Sequence, residues 1–152
     1  MKSGITFIYS TIFFLIACSN PSEQVQDSPQ GVDDILLKMK TIDEDTSLLV
    51  NKRFGSDTNF DSLVEIHHSK NGRLLKYETR LHFRDTSAKL MIYADNDSVM
   101  YSENVAMLGK DTLWYSKLYF RHGSCVLADE TKKTDPAFTF SAGQNFIEAF
   151  GR

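Results

Sequence analysis

The sequence predicts an α+β fold: an N-terminal amphipathic helix packed on an antiparallel β-meander of about six strands, followed by a short C-terminal helix. Three observations carry that prediction. Apolar residues recur at helical spacing from Val32 onward. From Phe60 the period changes to two, and short polar turns separate the alternating runs. The chain also holds eleven Phe, six Tyr and one Trp, an aromatic share that suits sheets and cores.

The helix comes first. Asp33 and Asp34 suit its opening turn, where acidic groups meet the positive end of the dipole. Val32, Ile35, Leu36, Met39 and Ile42 share one side, and Leu49, Val50 and Phe54 fall back onto it. Lys52 and Arg53 before Gly55 form a stop signal. The expected element is one long helix or a kinked pair reaching Phe54, with the polar stretch Asp43 to Ser47 as its weak point.

Asn71-Gly72 is the strongest hairpin signal in the chain. A two-residue turn there sets Ile66 opposite Tyr77, Val64 opposite Thr79, Glu65 opposite Glu78 and His67 opposite Lys76, with the apolar sets on one face. The meander continues through strands at Lys89 to Ala94, Ser98 to Met107, Thr112 to Arg121 and Ser124 to Ala128. Asp95-Asn96-Asp97 and His122-Gly123 supply turns, and the latter sets Phe120 against Cys125 and Tyr119 against Val126. Apolar groups then lie on both faces of the last pair, so the sheet needs a second cover besides the first helix. Asp129 to Pro136 reads as a polar loop. Ser141-Ala142-Gly143-Gln144 has the spacing of a capping box before a short helix bearing Phe146, Ile147 and Phe150.

Few residues suggest chemistry. His67 and His68 are adjacent on a strand and point to opposite faces, so they do not share a metal ion. With His82 they read as surface or edge histidines. Glu65 and Glu78, set opposite each other, have the makings of a coupled carboxylate pair, but Lys76 and Arg80 balance them as a solvated face. Asp95 to Ser98 lacks the length and terminal Glu of a calcium loop and reads as a turn. No nucleophile elbow, phosphate loop or dinucleotide fingerprint occurs, so no catalytic residue, metal or cofactor is assigned. Cys125 sits among apolar neighbours as a small core residue. Trp114, Tyr115 and Tyr119 are the candidate interaction surface, because Trp and Tyr dominate interface hot spots. With 17 Lys and Arg against 20 Asp and Glu, and no basic stripe, nucleic acid is disfavoured as a partner.

Ahead of the helix, Lys2 precedes an apolar run from Ile5 to Ala17, shorter than the roughly 20 residues of a membrane span. Leu15-Ile16-Ala17-Cys18 closes it and resembles the lipobox of bacterial lipoproteins. The resemblance implies cleavage before Cys18 and a diacylglycerol on its thiol. Residues 1–17 are then a signal peptide, 18–31 a lipidated flexible tether, and 32–152 a single α+β globular domain. That tether extends on the order of 40 Å at roughly 3.3 Å per residue. Ser19, rather than Asp, after the cysteine favours the outer membrane under the sorting rule of enteric bacteria.

The helix-then-meander order, with Trp114 to Gly123 near its end, is similar to small envelope lipoproteins of Gram-negative bacteria. Location and shape follow from that likeness, and mechanism does not. The expectation is a lipid-anchored, non-enzymatic binding or interaction module, periplasmic or surface-exposed, held to the membrane through Cys18. Its partner is an envelope protein or ligand. The alternative is a proteinaceous inhibitor of a cell-wall hydrolase such as lysozyme; an envelope enzyme comes third.

Overall fold

The computed structural model describes residues 31–57 and 60–150. Helix α1 (Val32–Glu44) is followed by seven strands: β1 (Leu49–Asp57), β2 (Phe60–Lys70), β3 (Arg73–Phe83), β4 (Thr86–Asp95), β5 (Ser98–Leu108), β6 (Asp111–Arg121) and β7 (Ser124–Glu130). Helix α2 (Pro136–Phe150) ends the described chain. The strands form one antiparallel sheet whose spatial order is their chain order. The α+β class and the meander stand as predicted, with one strand more than the expected six.

The additional strand comes from the segment expected to prolong the first helix. α1 stops at Glu44, and Asp45 turns extended while its carboxylate accepts hydrogen bonds from the Ser47 backbone N–H (2.9 Å) and hydroxyl (2.6 Å). Such a local bond competes with the next helical turn. Leu49, Val50 and Phe54 then lie on β1, where Leu49 and Phe54 are largely exposed.

Asn71 and Gly72 both adopt left-handed backbone and turn β2 into β3, as do Asn96 with Asp97 and His122 with Gly123 in their hairpins. Beyond the first of these turns the register departs from expectation. Lys70 faces Arg73 and Ser69 faces Leu74, but a bulge follows and His68 faces Lys76. A one-residue slip sends every later side chain to the other face. Glu65 therefore faces Thr79 and Ile66 faces Glu78, so the two carboxylates are not opposite each other. His67 faces Tyr77. A second bulge puts Tyr119 against Leu127 rather than Val126, while Phe120 meets Cys125 as expected.

The second cover is α2. Asp135 caps it, its carboxylate accepting from the N–H groups of Ala137 (2.9 Å) and Phe138 (3.3 Å), and Pro136 occupies the first position. Ser141 and Gln144 thus lie inside a helix of 15 residues rather than at the start of a short one. Ile147, with Phe140, Phe146 and Phe150, packs on Leu74, Tyr77, Ile92, Val99, Leu118 and Phe120. On the opposite face, Ile35 of α1, with Met39 and Ile42, packs on Tyr93, Met100 and Tyr101.

Both helices cover the same half of the sheet. α2 reaches the β4–β5 turn, where the Gln144 side-chain amide donates to the Asp97 carbonyl at 2.7 Å. α1 lies along the same end: Lys38 binds Asp95 at 2.7 Å and Asp45 binds Lys70 at 2.8 Å. The other half, toward the β3–β4 and β5–β6 turns, projects beyond both helices.

Candidate functional site

On the α2 side, register aligns Leu63, Leu81, Ala88, Ala106 and Trp114 in one row across β2 to β6. Leu63, Leu81 and Trp114 are half-buried, Ala88 is exposed, and the small Ala106 beside Trp114 is buried. Phe83 and Leu108, on either side of Thr86, form a further apolar row at 41% and 49% exposure. Between this row and the core under α2, the same face carries Glu65, Thr79, Leu90, Asn104 and Ser116, a mostly polar row.

The back of the same half-sheet is different. Val64, Arg80, Lys89, Val105 and Tyr115 make the corresponding row there. Lys89 reaches Glu103 at 3.8 Å and Arg80 reaches Glu78 at 3.6 Å, an arrangement suited to water. The Leu63-to-Trp114 row is thus free of charge, whereas the row behind it carries Arg80 and Lys89.

α2 forms the wall of the uncovered floor. Gln144 points to the far end of the sheet, so at 100° per residue the opposite flank carries Phe138, Ala142, Phe146 and Ala149. Phe138 is 73% exposed. At the β1 end of this flank a cavity of about 330 Å³ is lined by Arg53, His67, Phe146, Ala149 and Phe150.

His67 is buried, contrary to the expected surface histidine, because the register slip turns it under α2. Its ring meets Tyr77, Phe146 and Phe150 edge-on at centroid distances of 5.2, 5.8 and 5.4 Å. Nε2 has no hydrogen-bond partner among the described residues. Burial lowers the imidazole pKa, against an opposing pull from Glu65. Tyr77 donates to Glu65 at 2.9 Å, and burial with that carboxylate pushes the phenol up to about 12.

The remaining polar clusters are structural clips. Beneath α1, Lys76 Nζ binds Asp43 at 2.7 Å and Glu78 at 3.0 Å, and Tyr93 donates to Asp43 at 2.8 Å. Burial disfavours the Lys76 charge, but the hydrogen bonds it donates to Asp43, Tyr93 and Glu78 outweigh it and raise the pKa. His68 lies beside this cluster, half-buried, 3.8 Å from Glu78, its pKa lowered by burial. His82 alone of the three is exposed, as expected. At the far edge, Ser116 and Thr134 both bond Glu130, at 3.1 and 2.8 Å, and hold the chain where β7 passes into α2.

The candidate surface residues separate. Trp114 lies on the α2 face, with the Lys132 ammonium 5.5 Å above its ring. Tyr115 lies on the other face and donates to Asp129 at 2.9 Å. Tyr119 shares that face but packs in the cluster under α1, 4.9 Å from Tyr101. Cys125 is half-buried at the α2 core and donates to the Leu127 carbonyl at 3.3 Å; burial raises its pKa, as for an unreactive thiol. Cys18 lies outside the described residues. Asn96 and Asp97 make the expected turn. Among the described residues no group of three or more His, Cys, Asp or Glu is placed to hold a metal, and no helix is long and apolar enough to cross a membrane.

A sequence reading in the corrected register would have brought Leu63 level with Leu81, though only Leu81 and Ala88 in the row have charged neighbours along their strands. Reaching that register required the bulge at Leu75, for which the turn residues give no signal. No family model, no curated protein and no solved structure matches this chain.

Proposed function

We propose that this chain is a lipid-anchored envelope protein, held by acylated Cys18 and a tether to Gly31, whose single domain from Val32 onward is a non-enzymatic binding module. The apolar row Leu63, Leu81, Ala88, Ala106 and Trp114 beside α2 is the observation that carries the binding reading. The largest apolar patch of a monomeric domain is often its functional surface. The paired polar groups support a non-catalytic role: Asp43, Lys76, Glu78 and Glu130 each bond a neighbour within the fold. The anchor rests on Leu15-Ile16-Ala17-Cys18.

Metabolic labelling tests the anchor. Radiolabelled palmitate is expected to enter the wild-type protein and not Cys18→Ser, and detergent is expected to be needed to extract the wild type. An unlabelled protein free in the periplasm would refute the lipid attachment. Adding the protein in molar excess is expected to leave lysozyme digestion of cell walls unchanged. A stoichiometric loss of lysozyme activity would replace the module reading with an inhibitor.

A further inference from the structure

We propose that the free edge of β1 receives an extended segment of a partner protein as an added antiparallel strand, carrying an aromatic, an acidic and a short polar residue in succession. The inference rests on the reading of the chain as a binding module but uses a surface apart from the Leu63-to-Trp114 row.

The edge supplies the backbone. β1 is the last strand of the sheet, runs for 9 residues, and pairs with β2 alone among the described residues. An open edge of this length is a template for a further strand, and antiparallel pairing is the more stable form. Main-chain bonds then give affinity, and pockets for alternate side chains give specificity.

The α2 side supplies two such pockets. A cavity of about 480 Å³ touches Leu49 and Asn51, and the cavity of about 330 Å³ touches Arg53; Phe150 lines both. Asn51 and Arg53 lie two residues apart on one face, about 7 Å, which is the interval between side chains i and i+2 of a strand laid beside them. Ser47, Ser69 and Asn71 make the first cavity polar, and its one cation, Lys70, is held by Asp45 at 2.8 Å. A short polar side chain suits it. His67, Phe146 and Phe150 make the second aromatic, and Arg53 there faces Glu65 across the strands. An aromatic side chain suits that one.

The α1 side supplies the charge and so the register. Lys52 lies between Asn51 and Arg53 on the opposite face, across from Ile66, and joins no ion pair among the described residues. Asp43 under α1 is already held by Lys76 and Tyr93. Val50 and Phe54 flank Lys52 on its face, 44% and 76% exposed. A strand with its acidic residue opposite Lys52 and apolar residues opposite Val50 and Phe54 puts its remaining two side chains over Asn51 and Arg53.

Charge argues against a second copy of this chain. Antiparallel pairing of two β1 strands about Lys52 or Arg53, near the middle of the strand, sets each residue against its own copy. Like charges directly opposite are destabilising.

Two measurements test the proposal. The full chain in phosphatidylcholine nanodiscs is titrated with a fluorescein-labelled peptide, Thr-Thr-Val-Phe-Asp-Ser-Val-Thr-Thr, and binding is read by anisotropy. The expected result is saturable binding at least ten-fold tighter than that of a twin carrying lysine in place of aspartate. Lys52→Glu is expected to reverse that preference, and Lys110→Glu, in the exposed β5–β6 turn, to leave it unchanged. Ala149→Trp, at an exposed position on α2, fills the aromatic cavity and is expected to weaken binding at least ten-fold. N-methylation of alternate peptide residues is expected to abolish binding for one set and spare it for the other, because only one edge of the added strand meets β1. No binding, equal binding of the twins, indifference to Lys52→Glu or Ala149→Trp, or equal effects of the two methylated sets overturns the proposal.

In cells that make the protein, benzoylphenylalanine is placed at Leu49 or at Ala88, and cross-linked segments are sequenced. A link from Leu49 to an aromatic–acidic–polar segment of another protein supports the proposal. Links from Leu49 to phospholipid or to a second copy overturn the occupant. Partner links from Ala88 alone overturn the edge and leave the binding module standing. No link from either position removes both readings.

Discussion

Gly143→Ala tests how α2 is held on the sheet, because two opposing effects of similar size meet at one atom. Alanine inside a helix is favoured over glycine by about 1 kcal/mol. A Cβ at Gly143, however, would lie 2.8 Å from Val99 Cγ2 and 3.5 Å from Ile92 Cδ1. Comfortable carbon contacts lie near 3.5–4.0 Å, so Val99 must retreat by close to 1 Å. It has little room: Val99 is 2% exposed, and its β-branch is stiff at χ1. Overpacking of this kind costs about 1–3 kcal/mol, which leaves a net destabilisation of about 1 kcal/mol after the helix gain.

Val99→Ala alone should cost about 2 kcal/mol, since two buried methyl groups are lost and a cavity remains. The space it vacates is where the new methyl would go, so the double variant should be no less stable than Val99→Ala. Urea unfolding followed by Trp114 emission and far-ultraviolet circular dichroism measures all four proteins. A rise in stability for Gly143→Ala alone, or strictly additive losses in the double variant, would refute close packing of α2 at this point.

Mild acid should weaken the fold through two histidines. Both His67 and His68 are held below their ordinary pKa, chiefly by burial, so the unfolded chain binds more protons below pH 6.5. Their contribution to stability is full above 6.5 and is lost as pH falls through the depressed folded values. Urea midpoints between pH 7.5 and 5 should therefore decline, and the paired substitution His67→Phe with His68→Gln should flatten the slope; an unchanged slope refutes the assignment. Asp135→Ala removes the α2 cap and should cost about 1 kcal/mol, read from the same denaturation curves, while Asp135→Asn should retain most of it. Equal losses for the two variants would show that the cap bond is not what stabilises the helix start.

Patterns that depend only on neighbouring residues were readable in the sequence. The turns at Asn71-Gly72, Asn96-Asp97 and His122-Gly123 follow from residues that tolerate left-handed backbone, and the hairpins follow from the turns. β1 was hidden because Leu49, Val50 and Phe54 happen to continue the helical spacing of α1, and an edge strand need not alternate strictly. What ends the helix is the Asp45–Ser47 hydrogen bonding, a local signal that periodicity overrode. The start of α2 at Asp135-Pro136 was equally local and was passed over for the weaker Ser141 spacing.

The register of β2 on β3 belongs to a different class. The unpaired Leu75 on β3 reverses the faces of Glu65, Ile66 and His67 relative to Tyr77 and Glu78, and no side chain there announces it. Every inference about His67 and the carboxylate pair hung on that residue. The apolar row was out of reach for the same reason, since it exists only when Leu63 and Leu81 are brought level.

The agreement of strand order with chain order carries a consequence for how the molecule is built in time. Each strand can be added to the one just made, so closing each hairpin requires only a short loop and the sheet can grow as the chain emerges. The 15 residues of α2 are different: they follow β7 and close over a face assembled from β3 to β7. Until then Leu74, Ile92, Leu118 and Phe120 stand open to water. The growing chain therefore presents this apolar face between the synthesis of β7 and that of α2, when a misfolding neighbour would compete with α2 for the same residues.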